Sequence, residues 1–433
     1  MMALGGSIGT GLFLGLGNAI EFTGSSIILA YLVGGLIMYI IMRSLGELVV
    51  HEPNIGAFSY YATKHVGGYL GYMSGWFAWF EYTIVCMQDL TASTIFLDHW
   101  CTIPHWLTIA FFLVLFVIIN LFNVKVFGEF EFYFAGIKIS AIMIMIMLFV
   151  FLLLFNHNLH NFIIYNWQQS LISSNLFSHG LSGFASALTL VLLSFGGTQF
   201  IGIAAAESEN PKVQVPRAIT GVVFRILFFY ILSIIMLLGF YQIGKIVNNT
   251  NIFMTVLAST GISYASDIIN FVIITAVLSA VNSCFYAANR MFYSLAQQGY
   301  APKIFAGKYR QQQQVPKITI LFTGAVIGIT VVLNYLLPKT IVYYLLSFTI
   351  VSIIVTWSTI LIVHFYFRKK GHISNYKLPF SPYTNFFAFA GLVLILIAML
   401  QISYMKIAVI MLPISLMVIT ICYLLHKYKQ LSK

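Results

Sequence analysis

Charge is scarce in this chain. Of 433 residues only 8% are Asp, Glu, Lys or Arg, and just 11 are acidic. A soluble domain is about a quarter charged, and no soluble fold of this length could cover 60% hydrophobic residues. Cysteine is equally sparse. Cys86, Cys101, Cys284 and Cys422 lie far apart with no CxxC pair, which implies neither a disulfide framework nor a metal site and leaves them as small core hydrophobes. Ten-residue alternations of apolar and polar residues are missing, which excludes a transmembrane β-barrel. No clustered nucleophile, base or metal-ligand set is present, so an enzyme is not expected, and no cofactor is called for. The first segment lacks a basic leader, so no cleavable signal peptide is expected.

What remains is long apolar runs. A membrane crossing needs about 20 apolar residues, and twelve stretches meet that length: 3–20, 25–44, 69–97, 105–124, 132–155, 181–206, 218–240, 267–298, 317–335, 339–366, 384–402 and 404–426. The expected fold is therefore all-α and polytopic. The segment 54–67, after Pro53, reads as a short interfacial helix or re-entrant turn, and 250–266 as a similar helix on the other side. The net charge of +11 does not imply nucleic acid, because the basic residues sit in short loops between spans. With the N-terminus inside, eighteen Lys and Arg fall on the inner side and three (Lys245, Lys339, Lys406) on the outer. Cytoplasmic loops carry such an excess. Both termini are thus expected to be cytoplasmic, in a multi-pass protein of the cytoplasmic membrane surrounded by lipid.

Two of the spans are interrupted. Gly5–Phe13 reads Gly-Gly-Ser-Ile-Gly-Thr-Gly-Leu-Phe, and Ser194–Gly202 reads Ser-Phe-Gly-Gly-Thr-Gln-Phe-Ile-Gly. Broken backbone at membrane depth persists only where protein, water or a ligand supplies partners. The breaks fall in spans one and six, five spans apart. An odd number of spans per unit forces two equivalent units into opposite orientations, which gives an inverted repeat with a midplane substrate site at the breaks. Repeat one is expected over about 1–155, repeat two over about 181–366, with extra helices over about 384–426.

Five stretches, in order along the chain, carry a family resemblance: Ala3–Gly15, Met42–Leu48 (Met-Arg-Ser-Leu-Gly-Glu-Leu), Asn123–Phe132, Ala204–Pro211 (Ala-Ala-Ala-Glu-Ser-Glu-Asn-Pro) and Asn282–Pro302. In these the chain resembles the amino acid–polyamine–organocation (APC) superfamily. Within it the resemblance is to the bacterial amino acid permeases, closest to the aromatic and neutral branch. The resemblance implies twelve spans, two inverted five-helix repeats and proton-coupled uptake of a free amino acid. An amino acid sensor without net transport, or a truncated inactive relative, are the competing expectations. The chain begins only a few residues before the first glycine run, so a truncated N-terminus is expected. Oligomeric state is not read from the sequence.

The residues suggest how a zwitterion would be held. A helix N-terminus offers free N–H donors and partial positive charge, so Ser7, Ile8, Gly9, Thr10 and Gly11 are the candidate carboxylate site. Carbonyls at the second break suit an ammonium, so Phe195, Gly196, Gly197, Thr198 and Gln199 are the candidate amino site and gate, with Phe195 as a cover or as an ordinary core ring. Lys138, Glu81 and Asp89 are charged residues at membrane depth and candidates for proton coupling. The resemblance adds that in proton-coupled relatives a lysine at the position of Lys138 occupies the place where sodium binds in distant sodium-coupled relatives. Glu81 and Asp89, eight residues apart, flank one helical face at a separation of about 12 Å. The resemblance places glutamate at position 199, whereas this chain has Gln199, which cannot ionise. Glu207 and Glu209, with Arg43 or Arg290, are the candidate inner gate.

Overall fold

The computed structural model describes residues 9–54, 56–121, 124–155, 157–168, 177, 179–204, 210–240, 253–254, 264–306, 317–338 and 340–431. Helices account for nearly all of them, and no strand occurs among them. Span one is a short turn α1 (Thr10–Phe13) and α2 (Gly15–Thr23), separated by Leu14. A single 3-10 turn at Gly24–Ser26 leads into α3 (Ile27–His51), the second span. The expected interfacial segment is α4 (Ala57–His65). Spans three, four and five follow as α5 (Gly68–Leu97), α6 (His105–Leu121) and α7 (Val124–Phe155), with α8 (His157–Trp167) appended.

The sixth span is α9 (Gly180–Ser194), a break, and α10 (Phe200–Ala204). The rest of the chain forms α11 (Pro211–Phe240), α12 (Ala265–Gln297), α13 (Lys317–Leu336), α14 (Ile341–Lys369), α15 (Tyr383–Met399) and α16 (Lys406–Leu431). Among the described residues, helix is found in each of the twelve expected spans. The helix expected over 250–266 falls mostly outside the described residues.

The most extensive helix pairings are α5 with α12, α3 with α11, α2 with α9 and α6 with α13, together with α5 against α14 and α4. The first four each join spans that are five apart. Glycine permits the closest of these approaches. A Cβ on Gly35 of α3 would run into the Leu227 side chain of α11, and one on Gly75 of α5 into the Leu295 side chain of α12.

Seven helical segments among the described residues are long and apolar enough to cross a membrane, and three more are shorter apolar helices. α5 is in neither group although it runs 30 residues. It carries buried Ser74, Glu81, Thr83, Gln88, Asp89, Thr91, Ser93 and Thr94. A helix wrapped by protein on all sides can hold polar groups that lipid would exclude. At the other extreme α16 is almost wholly exposed, with Ile410, Met417, Ile421 and Leu424 turned outward, as a lipid-facing helix should be. The polar centre is therefore α5, and the two broken spans pack beside it.

Candidate functional site

Gly9 precedes the first helical turn. The first backbone bonds into it are Phe13 N–H to Gly9 O (3.4 Å) and Leu14 N–H to Thr10 O (2.8 Å), so the earlier N–H groups have no acceptor within the helix. Gly11 lies against the end of α9, where a Cβ would stand 2.7 Å from Ser194 Cα. Only glycine lets the two breaks touch there. The second break is a run of tight turns. Phe195 N–H bonds to Leu192 O (3.1 Å), Gly196 N–H to Leu193 O (3.0 Å) and Phe200 N–H to Gly197 O (3.1 Å). Gly197 has φ +87°, a left-handed conformation that suits glycine.

A cavity lies where the breaks meet α5, α12 and α14. Its walls are Gly9, Thr10 and Gly11; Glu81, Tyr82, Val85, Gln88 and Asp89; Leu193, Gly196, Gly197 and Phe200; Cys284; and Thr349 and Ile353. At one end Thr10 Oγ1 donates to Asp89 Oδ1 at 2.6 Å, and Gln88 Nε2 donates to the same oxygen at 3.3 Å and to Thr10 Oγ1. At the other, Gln199 Nε2 donates to Glu81 Oε1, and Gln199 Oε1 accepts from Trp357 Nε1 at 3.2 Å. Both acids are essentially unexposed. Four polar atoms of the walls, Glu81 Oε2, Tyr82 OH, Gln88 Oε1 and Thr349 Oγ1, are buried without a hydrogen-bond partner among the described residues. Buried polar groups are nearly always satisfied, so these four are wall groups able to bond a ligand. Lys138 on α7 is 1% exposed and lies within electrostatic reach of Asp89.

The structure thus brings Gly9, Thr10, Gly11, Gly196, Gly197, Glu81 and Asp89 to one cavity. Thr198 is buried behind it with its hydroxyl on Phe195 O (3.0 Å). A cover at Phe195 is not what this conformation shows. Its ring packs against Tyr31 and Tyr230 at centroid distances of 5.8 and 6.0 Å, in the space Gly34 leaves open. The ring that span six turns into the cavity is Phe200, edge-on to Tyr82 at 4.9 Å. Ser7, Ile8, Glu207 and Glu209 lie outside the described residues. Arg43 donates to Lys377 O (3.0 Å) with its guanidinium over the Tyr376 ring, and Arg290 Nε donates to Tyr286 OH (3.1 Å).

Sequence reasoning missed Glu47, although it stands in one of the stretches that carry the resemblance. Glu47 is fully buried. Its Oε2 accepts from His364 Nε2 (3.0 Å), Arg368 Nη2 (2.9 Å) and Leu378 N–H (2.8 Å), and Arg368 Nε approaches Oε1 at 2.8 Å. His364 Nδ1 pairs with Asn385 Nδ2 at 2.9 Å. One carboxylate therefore ties α3 to α14, the following loop and, through His364, α15. Neither Phe200 nor Trp357 carried a sequence signal that set it apart from 39 phenylalanines and six tryptophans.

No group of three His, Cys, Asp or Glu able to hold a metal occurs among the described residues. The family model described as amino acid permease matches residues 1–433. The chain is 37% identical over 430 residues to the aromatic amino acid transport protein AroP of Escherichia coli K12, covering 98% of this chain and 93% of that protein. The AroP of Salmonella typhimurium LT2 matches to the same extent. An uncharacterized transporter of Bacillus subtilis, YdgF, is 33% identical over 99% of this chain and 94% of its own length.

Proposed function

This chain belongs to the amino acid permease family, and we propose that it imports neutral, and in particular aromatic, amino acids together with protons across the cytoplasmic membrane. It is a multi-pass membrane transporter and not an enzyme. The observation that carries the finer reading is the cavity where both broken spans meet two buried acids. The substrate carboxylate sits at the N–H groups of Gly9, Thr10 and Gly11, completed by Ser7 and Ile8. The substrate ammonium sits at the carbonyls of Gly196 and Gly197. Backbone donors and acceptors freed by a helix break hold each charge at no side-chain entropy cost.

The proton is carried by Lys138 with Asp89. A lysine at this depth gains or loses a proton as its surroundings change, and Asp89 links it through Thr10 to the carboxylate site. Glu207 and Glu209 with Arg290 close the inner side. Arg43 belongs to that side, held by Lys377 and Tyr376. Both termini are cytoplasmic, from the Lys and Arg distribution. The packing of spans five apart supports two inverted repeats over about 1–155 and 181–366. The similarity to the aromatic amino acid transport protein AroP supports the aromatic preference.

The test is uptake of radiolabelled amino acids into vesicles with and without an imposed proton gradient. Accumulation should require the gradient and should compete with aromatic and neutral amino acids. Lys138→Met should abolish accumulation while purified protein still binds substrate. Full accumulation in that variant would remove Lys138 from the coupling.

A further inference from the structure

We infer that Glu81 reads the substrate's side chain, and that the cavity selects a planar ring bearing an N–H, an indole or imidazole, over a phenyl ring. The inference rests on the placement of the substrate carboxylate at Gly9–Gly11 and deepens that reading of the site.

Three observations carry it. The first is distance. A Cβ on Gly9 would lie 3.8 Å from Asp89 Oδ2, so the carboxylate end of the cavity is level with Asp89. Glu81 is eight residues away on the same helix, a rise of about 12 Å. Two hydrogen bonds of about 2.8 Å leave about 6 Å for the ligand between them. An amino acid with a ring on its β-carbon spans that gap, whereas alanine or serine falls short.

The second is chemistry. Glu81 Oε1 is engaged by Gln199, while Oε2 is buried, unpartnered and on the cavity wall. The Thr356 hydroxyl faces the carboxyl but makes no hydrogen bond to it. A buried acceptor left unpaired costs the full desolvation of that group, so a ligand that brings a donor is favoured over one of the same shape that does not. The third is the character of the walls. Tyr82, Phe200 and Ile353 are among the lining residues, and apolar and aromatic walls suit a ring better than a charged chain.

The Gln199 contact makes the assignment sharply testable. In Glu81→Gln, the new amide still accepts from Gln199 through its oxygen and turns its NH2 toward the cavity, where it opposes a ring N–H. Exchanging the pair, Glu81→Gln with Gln199→Glu, reverses this. The amide introduced at position 81 then donates to the carboxylate at position 199, and its oxygen faces the cavity.

The experiment measures competition against labelled L-tryptophan uptake, and in parallel binding to purified protein. Unlabelled tryptophan and histidine should inhibit at concentrations at least about tenfold lower than phenylalanine. On the wild-type protein, 3-benzothienyl-L-alanine, which keeps the shape of tryptophan but replaces its ring N–H with sulfur, should behave like phenylalanine. Glu81→Gln should lose the tryptophan preference, and the exchange variant should recover it. The assignment is overturned if benzothienylalanine matches tryptophan, or if Glu81→Gln weakens phenylalanine and tryptophan equally, which would put the ammonium at Glu81. Lysine or arginine outcompeting both rings would overturn it too. Ordered binding of these ligands without gradient-driven uptake would leave Glu81 in place and sink the transport reading instead.

Discussion

Thr10 Oγ1 donates a 2.6 Å hydrogen bond to Asp89 Oδ1, so the first turn after the break in span one is anchored to the middle of α5. The bond joins residues 79 positions apart, both buried. It ties the turn proposed to hold the substrate carboxylate to the acid that Lys138 reaches electrostatically. Thr10→Val keeps the shape and removes the donor. A buried hydrogen bond of this kind is worth about 1–3 kcal/mol, so the substrate concentration for half-maximal uptake should rise by roughly tenfold or more. Thr10→Ser, which keeps the hydroxyl, should stay close to wild type. Initial rates of labelled uptake over a concentration series will separate the two.

Gly11 should be irreplaceable in a way Gly15 is not. A Cβ at Gly11 meets Ser194 Cα at 2.7 Å, whereas one at Gly15 finds nothing nearer than 3.9 Å. Backbone cannot yield cheaply, and overpacking of this kind costs about 1–3 kcal/mol. Gly11→Ala should lose substrate binding at normal membrane abundance, and Gly15→Ala should keep it. Equal binding by the two variants would show that the breaks do not need to touch.

Glu47 should govern stability. Removing one partner of a buried ion pair costs about 3–5 kcal/mol, because the other charge is left uncompensated. Glu47→Ala strands Arg368 and His364 and should lower the melting temperature of the detergent-solubilised protein sharply. Glu47→Gln keeps hydrogen-bonding capacity and should fall between. A melting curve for Glu47→Ala that overlays wild type would remove Glu47 from the scaffold.

The α3–α4 corner sets an acid limit. Burial first, then the charges of His372, Lys370 and Lys64, push the His65 imidazole down to about 4, against about 6.5 in an unfolded chain. Between those values the unfolded state binds a proton that the folded state refuses, so stability falls as pH drops from about 6.5 to about 4 and then levels off for this group. Glu52 adds a second loss below that. Its hydrogen bonds from Lys64 and then Tyr60 hold its carboxyl below the usual range. Its contribution is complete above the ordinary carboxylate value and disappears as pH falls through the depressed one. Melting temperature against pH should show the upper of these steps shrink in His65→Phe, while the Glu52 step persists. An unchanged upper step would assign it elsewhere.

The break at Gly196 and Gly197 was legible because a second glycine cluster stands five spans earlier, and a matched pair of clusters fits a site better than helix packing alone. α4 was legible because Pro53 ends one helix and a short segment with Lys64 and His65 cannot cross lipid. Polar residues of span three also stood out, because acids at membrane depth are rare. The faces those residues take were less legible. Sequence alone leaves Phe195 between a cover and a core ring, and the turns at Gly196 and Gly197 place Phe200 at the cavity and Phe195 against Tyr31 and Tyr230.

The sequence by itself determined the solvent this chain folds in, its all-α polytopic character and the place where span six breaks. Each follows from local quantities, namely hydropathy over about 20 residues and glycine content over a few. Only the tertiary structure decided which polar groups meet. Glu81 and Gln199 are 118 positions apart, and Glu47 and Arg368 are 321 apart. Helical periodicity gives a residue's face on its own helix but not the neighbour that face meets. That choice is made by packing, where small residues let particular helices approach and each buried polar group must find a partner.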